Sequence, residues 1–254
     1  MGMQMLLSLI AAILVQDVAE PVTLPRTERV VWESETLEGE RSLQIAGPIL
    51  PSPEGTELPI LIVLDGDVMF GMAAETARLM SFEGSPPPLV VAGVSYGGLN
   101  QWIAQRQIDY HPQAEGPGIE EFTAALIDEA LPLIRSAYPT ATGPVFVFGH
   151  SSGGLVALEA AFHPEVTGVI ASSASLEEEP EWATQLAARF AETPPAANVY
   201  LSSGSEEADN RVALEAFRTS GELSVEVHII PEGTHMSVIP GVFARGLRAM
   251  FEAN

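Results

Sequence analysis

From Glu28 onward the chain alternates between short apolar runs and longer stretches with helical periodicity. Arg29 to Leu37 and Arg41 to Ile45 read as strands flanking Glu38-Gly39-Glu40, a hairpin signal with the glycine inside. Ile60 to Leu64, Leu89 to Val94 and Val145 to Phe148 are unbroken apolar runs, as strands buried on both faces should be. Further strands are predicted at Val169 to Ser172, Asn198 to Ser202 and Ser224 to Ile230. Helices are predicted at Val68 to Phe82, Ile119 to Tyr138, Glu181 to Phe190, Glu207 to Arg218 and Val238 to Phe251, with a kink at Pro132. Pro48 to Pro59 is a proline-rich loop, and Tyr96 to Pro117 reads as a long loop carrying Arg106, Asp109, Tyr110 and His111. Strands alternating with helices imply right-handed crossovers and a mostly parallel sheet of about eight strands, covered by helices on both faces. The leading hairpin makes one edge antiparallel.

The junction between one apolar run and the helix after it carries chemistry. The run Val145 to Phe148 stops at Gly149, and a small-residue helical pattern begins after Ser151. Between them Gly149-His150-Ser151-Ser152-Gly153 fits G-x-S-x-G on a strand-to-helix turn. A serine there is held in a strained backbone conformation that lifts its hydroxyl above the sheet, and the flanking glycines supply the room. The helix start places the Ser152 N–H and the positive end of a dipole where an oxyanion would form. Ser151 is the candidate nucleophile.

A serine nucleophile needs a base. His150 adjoins the serine and should point away into the fold, His163 precedes Pro164 at a helix end, and His228 lies in an alternating strand. His111, in the long loop, is a candidate to line a pocket. His235 lies in Pro231-Glu232-Gly233-Thr234-His235-Met236, just past a strand end. Ligand sites in open α/β sheets lie beyond the carboxyl ends of strands, where Ser151 also sits. His235 is therefore the candidate base. An orienting carboxylate is expected between serine and histidine in chain order, and Gly204-Ser205-Glu206-Glu207-Ala208-Asp209 offers three acids.

Composition narrows the chemistry further. The chain has 254 residues, 46% of them hydrophobic, enough for one large core, and no linker or repeat divides it. Residues 20–254 are expected to form a single domain. There is no cysteine, and all 11 basic residues are arginine, so thiolate nucleophiles, cysteine–zinc sites and lysine Schiff bases are excluded. The net charge of −23 argues against nucleic acid and anionic membranes as partners. Met5 to Val15 is an apolar run of signal-peptide length, too short to span a bilayer comfortably. However, no Lys or Arg precedes it, and small residues are poorly placed for cleavage around Gln16 to Glu20. Residues 1–19 read as either a secretory signal, implying a periplasmic or secreted protein, or an ordered N-terminal helix of a cytoplasmic one.

From about Pro59 to the C-terminus the chain resembles the esterase branch of the α/β hydrolases, which holds enterochelin (siderophore) esterases, esterase D, S-formylglutathione hydrolases and mycolyltransferases. The resemblance rests on Leu64-Asp65-Gly66, Arg106-x-x-Asp109-Tyr110-x-Pro112, the Phe122 to Tyr138 helix, and Gly149-His150-Ser151-Ser152-Gly153-Gly154-Leu155. It continues in Ser173-x-Ser175, Gly204-x-x-Glu207 and Gly233-x-His235. It implies an α/β-hydrolase fold without a large lid, Ser151 as nucleophile, His235 as base and Glu207 as the acid. It also implies an oxyanion hole made by the backbone N–H groups of Ser152 and Asp67. After Ser173-x-Ser175-Leu176 the siderophore esterases usually carry a tryptophan pair, where this chain reads Glu177-Glu178-Glu179. That departure weighs against flat aromatic acyl groups.

The expected function is hydrolysis of small carboxylic esters, short-acyl or siderophore-like, through an acyl-enzyme and without metal or cofactor. Arg106 is a candidate for an anionic group on the substrate, with an ion pair to Asp109 as the alternative use of its charge. Acyl transfer by the same triad is the nearest competing activity, and a non-catalytic binding protein on the same fold competes from another class.

Overall fold

A computed structural model describes residues 22–112 and 118–252. The apolar run Met5 to Val15 and the last residues of the Tyr96 to Pro117 stretch lie outside them. Eight strands form one sheet: β1 (Thr27–Trp32), β2 (Arg41–Ala46), β3 (Ile60–Val63), β4 (Val90–Ser95), β5 (Val145–His150), β6 (Val166–Ser172), β7 (Asn198–Gly204) and β8 (Val227–Ile230). Their spatial order is β1-β2-β4-β3-β5-β6-β7-β8. β2 pairs antiparallel with both β1 and β4, and every other pairing is parallel. The expected hairpin is present, but β1 ends at Trp32 and residues 33–40 form its connection. The Ser34 hydroxyl accepts the N–H groups of Thr36 and Leu37, turning the chain early so that the Leu37 side chain reaches the core.

Side-chain alternation in the central strands feeds two cores. Ile60, Ile62, Val145 and Val147 point to one face, and Leu61, Val63, Phe146 and Phe148 point to the other. The first face is covered by α3 (Gly118–Ala125), α4 (Leu131–Ala137), α5 (Ser152–Ala160), α6 (Pro180–Glu192) and α7 (Ala208–Ser220). The second is covered by α1 (Gly66–Ser81) and α8 (Ile239–Glu252). Such two-sided burial explains why the parallel strands read as unbroken apolar runs. The kink expected at Pro132 takes the form of a π-helical turn, Leu126–Ala130, between α3 and α4. Proline has no N–H for the preceding turn, and a widened turn accommodates its ring.

One expectation fails. The stretch Tyr96 to Pro117 is not a continuous loop, because Leu99–Asp109 forms a helix, α2. Its apolar residues Leu99 and Ile103 face solvent, while Trp102, Arg106 and Asp109 turn inward to charged and polar partners. With the usual apolar stripe inverted, hydrophobic periodicity could not reveal it. Among the described residues no helix is long and apolar enough to cross a membrane.

Candidate active site

The parallel strands point their carboxyl ends at one region. After β5, Ser151 adopts φ 59° and ψ −127° before α5 begins. A Cβ at Gly149 would lie 1.9 Å from the Gly153 carbonyl oxygen, so strand and helix can approach this closely only with glycine there. The turn is tied to the next strand: the Ser151 N–H donates to the Ser172 carbonyl at 3.0 Å, and the Ser151 carbonyl accepts the Gly154 N–H at 2.8 Å. Ser151 Oγ shares a 3.2 Å hydrogen bond with Ser175 Oγ.

The loops after β7 and β8 meet beside this turn. The Glu206 N–H donates to the Gly233 carbonyl at 3.0 Å, which fixes one loop against the other. His235 Nδ1 donates to Glu207 Oε1 at 2.6 Å. Glu207 Oε2 accepts the Gly204 N–H at 2.6 Å and the Ser173 hydroxyl at 2.8 Å. Burial opposes ionisation of Glu207, but the bonds from His235, Gly204 and Ser173 outweigh it and hold the carboxyl below its ordinary range. Glu206 and Asp209 are exposed, so of the three acids in this loop Glu207 is the one that meets His235. The ring of His235 is 44% exposed, and no hydrogen bond joins it to Ser151 Oγ, which is turned to Ser175. Loose contacts between such groups are common before substrate binds.

A second wall comes from the end of β3. Asp65 takes the left-handed conformation, φ 56° and ψ 42°, and turns the chain directly into α1. A Cβ at Gly66 would lie 2.6 Å from the Val94 carbonyl oxygen, so only glycine lets α1 start against β4. The Asp67 carboxylate accepts the Ser95 hydroxyl at 2.9 Å and the N–H groups of Tyr96 at 2.7 Å and Gly98 at 2.8 Å. Asp67 and Ser152 each lie in the first turn of a helix, where N–H groups have no helical acceptor.

Arg106 does not pair with Asp109, the alternative weighed from sequence. Its Nε donates to Asp65 Oδ1 at 3.0 Å, and Trp102 Nε1 donates to the same oxygen at 2.7 Å. Asp109 is taken by Arg41, at 2.6 and 2.9 Å, and by the Tyr96 hydroxyl at 2.9 Å. Burial pushes the Asp65 carboxyl up and Arg106 pulls it back down, with burial the stronger. His111 Nδ1 lies 3.1 Å from Glu179 Oε1, and the Asn210 amide donates to the Glu177 carboxylate at 3.1 Å. Two of the three acids that replace the tryptophan pair therefore have partners of their own. His163 lies near Asp128 at 3.4 Å, and His228 stacks on Tyr200. Among the described residues no group of three or more His, Asp or Glu side chains is placed to hold a metal ion.

Sequence reasoning did not give Asp65, Trp102, Ser173 or Ser175 a place in the site. Asp65 and the two serines stand in the motifs that carry the resemblance, but their partners come from elements distant in sequence.

Comparison with known proteins agrees with this architecture. The family model described as "Putative esterase" matches residues 34–236. Siderophore hydrolase EstB from Aspergillus nidulans superposes with a TM-score of 0.79 at 19% identity, over 91% of this chain and 97% of that one. An IroE-like serine hydrolase from Shewanella oneidensis gives 0.76 at 22% identity, over 89% of this chain and 80% of that one. The BES protein of Bacillus cereus gives 0.75 at 22% identity, over 91% and 97%. At these identities the structural likeness speaks for a shared α/β-hydrolase fold, and the family match spans most of the chain. The chain belongs to the esterase family.

Proposed function

We propose that the protein hydrolyses small carboxylic esters through a covalent acyl-enzyme on Ser151. Ser151 Oγ attacks the ester carbonyl carbon while His235 Nε2 takes the hydroxyl proton. The tetrahedral oxyanion is received by the N–H groups of Ser152 and Asp67, at the starts of α5 and α1. On collapse the C–O bond to the alcohol breaks, and His235 returns the proton to the departing oxygen. Water then repeats the sequence on the acyl-enzyme and frees the acid and Ser151. Glu207 fixes the His235 tautomer and stabilises the imidazolium in both halves. For Arg106 and His111 we propose a lesser part, contact with the substrate beyond the reacting carbonyl, from an Arg106 that is ion-paired to Asp65 and a His111 that lies 3.1 Å from Glu179.

The observation that carries this reading is the 2.6 Å His235–Glu207 hydrogen bond, on loops that face a serine held at φ 59°. EstB is a siderophore hydrolase by name, but this chain carries Glu177, Glu178 and Glu179 where the resemblance to siderophore esterases leads one to expect a tryptophan pair. We therefore assign short-acyl esters as the substrate class. The test is labelling with a fluorophosphonate probe, followed by peptide mapping and turnover of p-nitrophenyl acetate. Ser151 should carry the label, and Ser151→Ala should fall to the ~10³–10⁴-fold residual that oxyanion stabilisation and binding supply. Ser152→Ala, which keeps its N–H, should stay active. Equal loss in the two variants would remove Ser151 from the role.

A further inference from the structure

We infer that His150 is a positioning residue: its buried flat ring is the seat that fixes the plane of the His235 imidazole. The inference rests on the reading of His235 as the base. Phe146, Phe148 and His150 alternate onto the α8 face of β5, so His150 is the last side chain of that row and lies under the loop that carries His235. The two imidazole rings sit 4.5 Å apart between centroids, tilted by 45°. His150 is 2% exposed. Its Nδ1 is 3.0 Å from Ser172 Oγ, which anchors the ring from β6, and its Nε2 has no partner.

The geometry explains why such a seat is needed. His235 is partly open to solvent on a glycine-containing loop, and its polar anchor is Glu207. A single hydrogen bond at Nδ1 fixes a point and a tautomer but leaves the ring free to rotate about that bond. A flat ring packed against it removes that freedom and aims Nε2. The requirement is acute because Ser151 Oγ rests on Ser175 and must find the base when substrate arrives. A buried ring nitrogen with no partner costs stability, so the presence of a histidine here calls for a reason beyond stability. The seat must also stay uncharged when His235 becomes imidazolium. Burial, with the neighbouring His235 charge acting the same way, lowers the His150 pKa to about 3. Glu207 acts in the opposite sense and Arg106 in the same sense as burial.

The experiment compares His150→Phe, which keeps a flat ring, with His150→Leu and His150→Asn, which do not. All are measured for kcat and KM on p-nitrophenyl acetate, for melting temperature, and for the low-field proton resonance of His235 Nδ1–H. Misplacing a catalytic group by about 1 Å can cost on the order of 100-fold. The Leu and Asn variants should therefore lose about 10- to 100-fold in kcat with KM within about threefold, and the His235 resonance should broaden. The Phe variant should retain most of the turnover and the resonance. A folded Leu or Asn variant with wild-type kcat overturns the inference, as does a Phe variant as slow as both. Fluorophosphonate labelling of Ser151 in the same samples separates the levels. Wild-type labelling and full-speed turnover in His150→Leu would reject only the role of His150. Failure of the wild type to label would reject the nucleophile itself.

Discussion

At the scale of single residues, the site is set by which side chains share a hydrogen bond. Glu207 receives His235, Ser173 and the Gly204 N–H, whereas Glu206 and Asp209 stand in solvent. Glu207→Gln should therefore cut kcat by about 10²- to 10⁴-fold, because an amide neither stabilises the imidazolium nor enforces its tautomer. Glu206→Gln and Asp209→Asn should change stability by no more than the ~0.3–1 kcal/mol of a helix-dipole interaction and leave turnover near normal. Steady-state kinetics on the three variants decides this, and loss of activity in Asp209→Asn with a competent Glu207→Gln would move the role. His150 makes a separate prediction about acid. Its folded pKa of about 3 lies below the ordinary 6.5, so the unfolded chain takes up a proton first as pH falls. Stability from this group is complete above pH 6.5 and drains away toward pH 3, by about 1.4 kcal/mol for each pH unit. In His150→Phe that part of the loss should vanish, leaving the smaller slope due to the other titrating groups. Urea unfolding at stepped pH reads the slope, and an unchanged slope would contradict the assignment of a neutral His150.

At the scale of elements, the strands and the strand-to-helix turn were legible in sequence, while α2 was not. Buried parallel strands announce themselves as unbroken apolar runs, and G-x-S-x-G announces a turn that only glycine permits. α2 instead turns Trp102, Arg106 and Asp109 inward, and their partners Asp65 and Arg41 lie far away in the chain. No local pattern encodes such a face. The ion pair it makes with Asp65 yields a prediction, since the Asp65 side chain is 1% exposed. Arg106→Leu should leave an uncompensated buried carboxylate and cost about 3–5 kcal/mol at neutral pH. The cost should shrink toward acid, where the stranded Asp65 takes a proton and sheds its charge. Thermal unfolding at pH 7 and pH 5 checks both parts, and a pH-independent loss would point to packing alone.

At the scale of the whole molecule, one sheet brings Ser151, Glu207 and His235 to the carboxyl ends of β5, β7 and β8, the outcome expected for ligand sites in open α/β sheets. Among the described residues no large lid closes over them. A long acyl chain gains roughly 0.8 kcal/mol for each buried CH₂ only where an apolar groove takes it, so acetate and butyrate esters should be preferred to palmitate. Comparing kcat/KM across the p-nitrophenyl series tests this, and a higher value for palmitate would refute it. The sequence by itself determined the fold class, the serine on its turn and the histidine beyond the last strand, because each is written in local periodicity, turn chemistry or chain order. Only the tertiary structure decided that Glu207, the acid the resemblance implies, meets His235, that Arg106 belongs to Asp65, and that His150 lies under the imidazole. Those are contacts between loops and strand ends remote in sequence, and their identity depends on distances that sheet order and crossover geometry create.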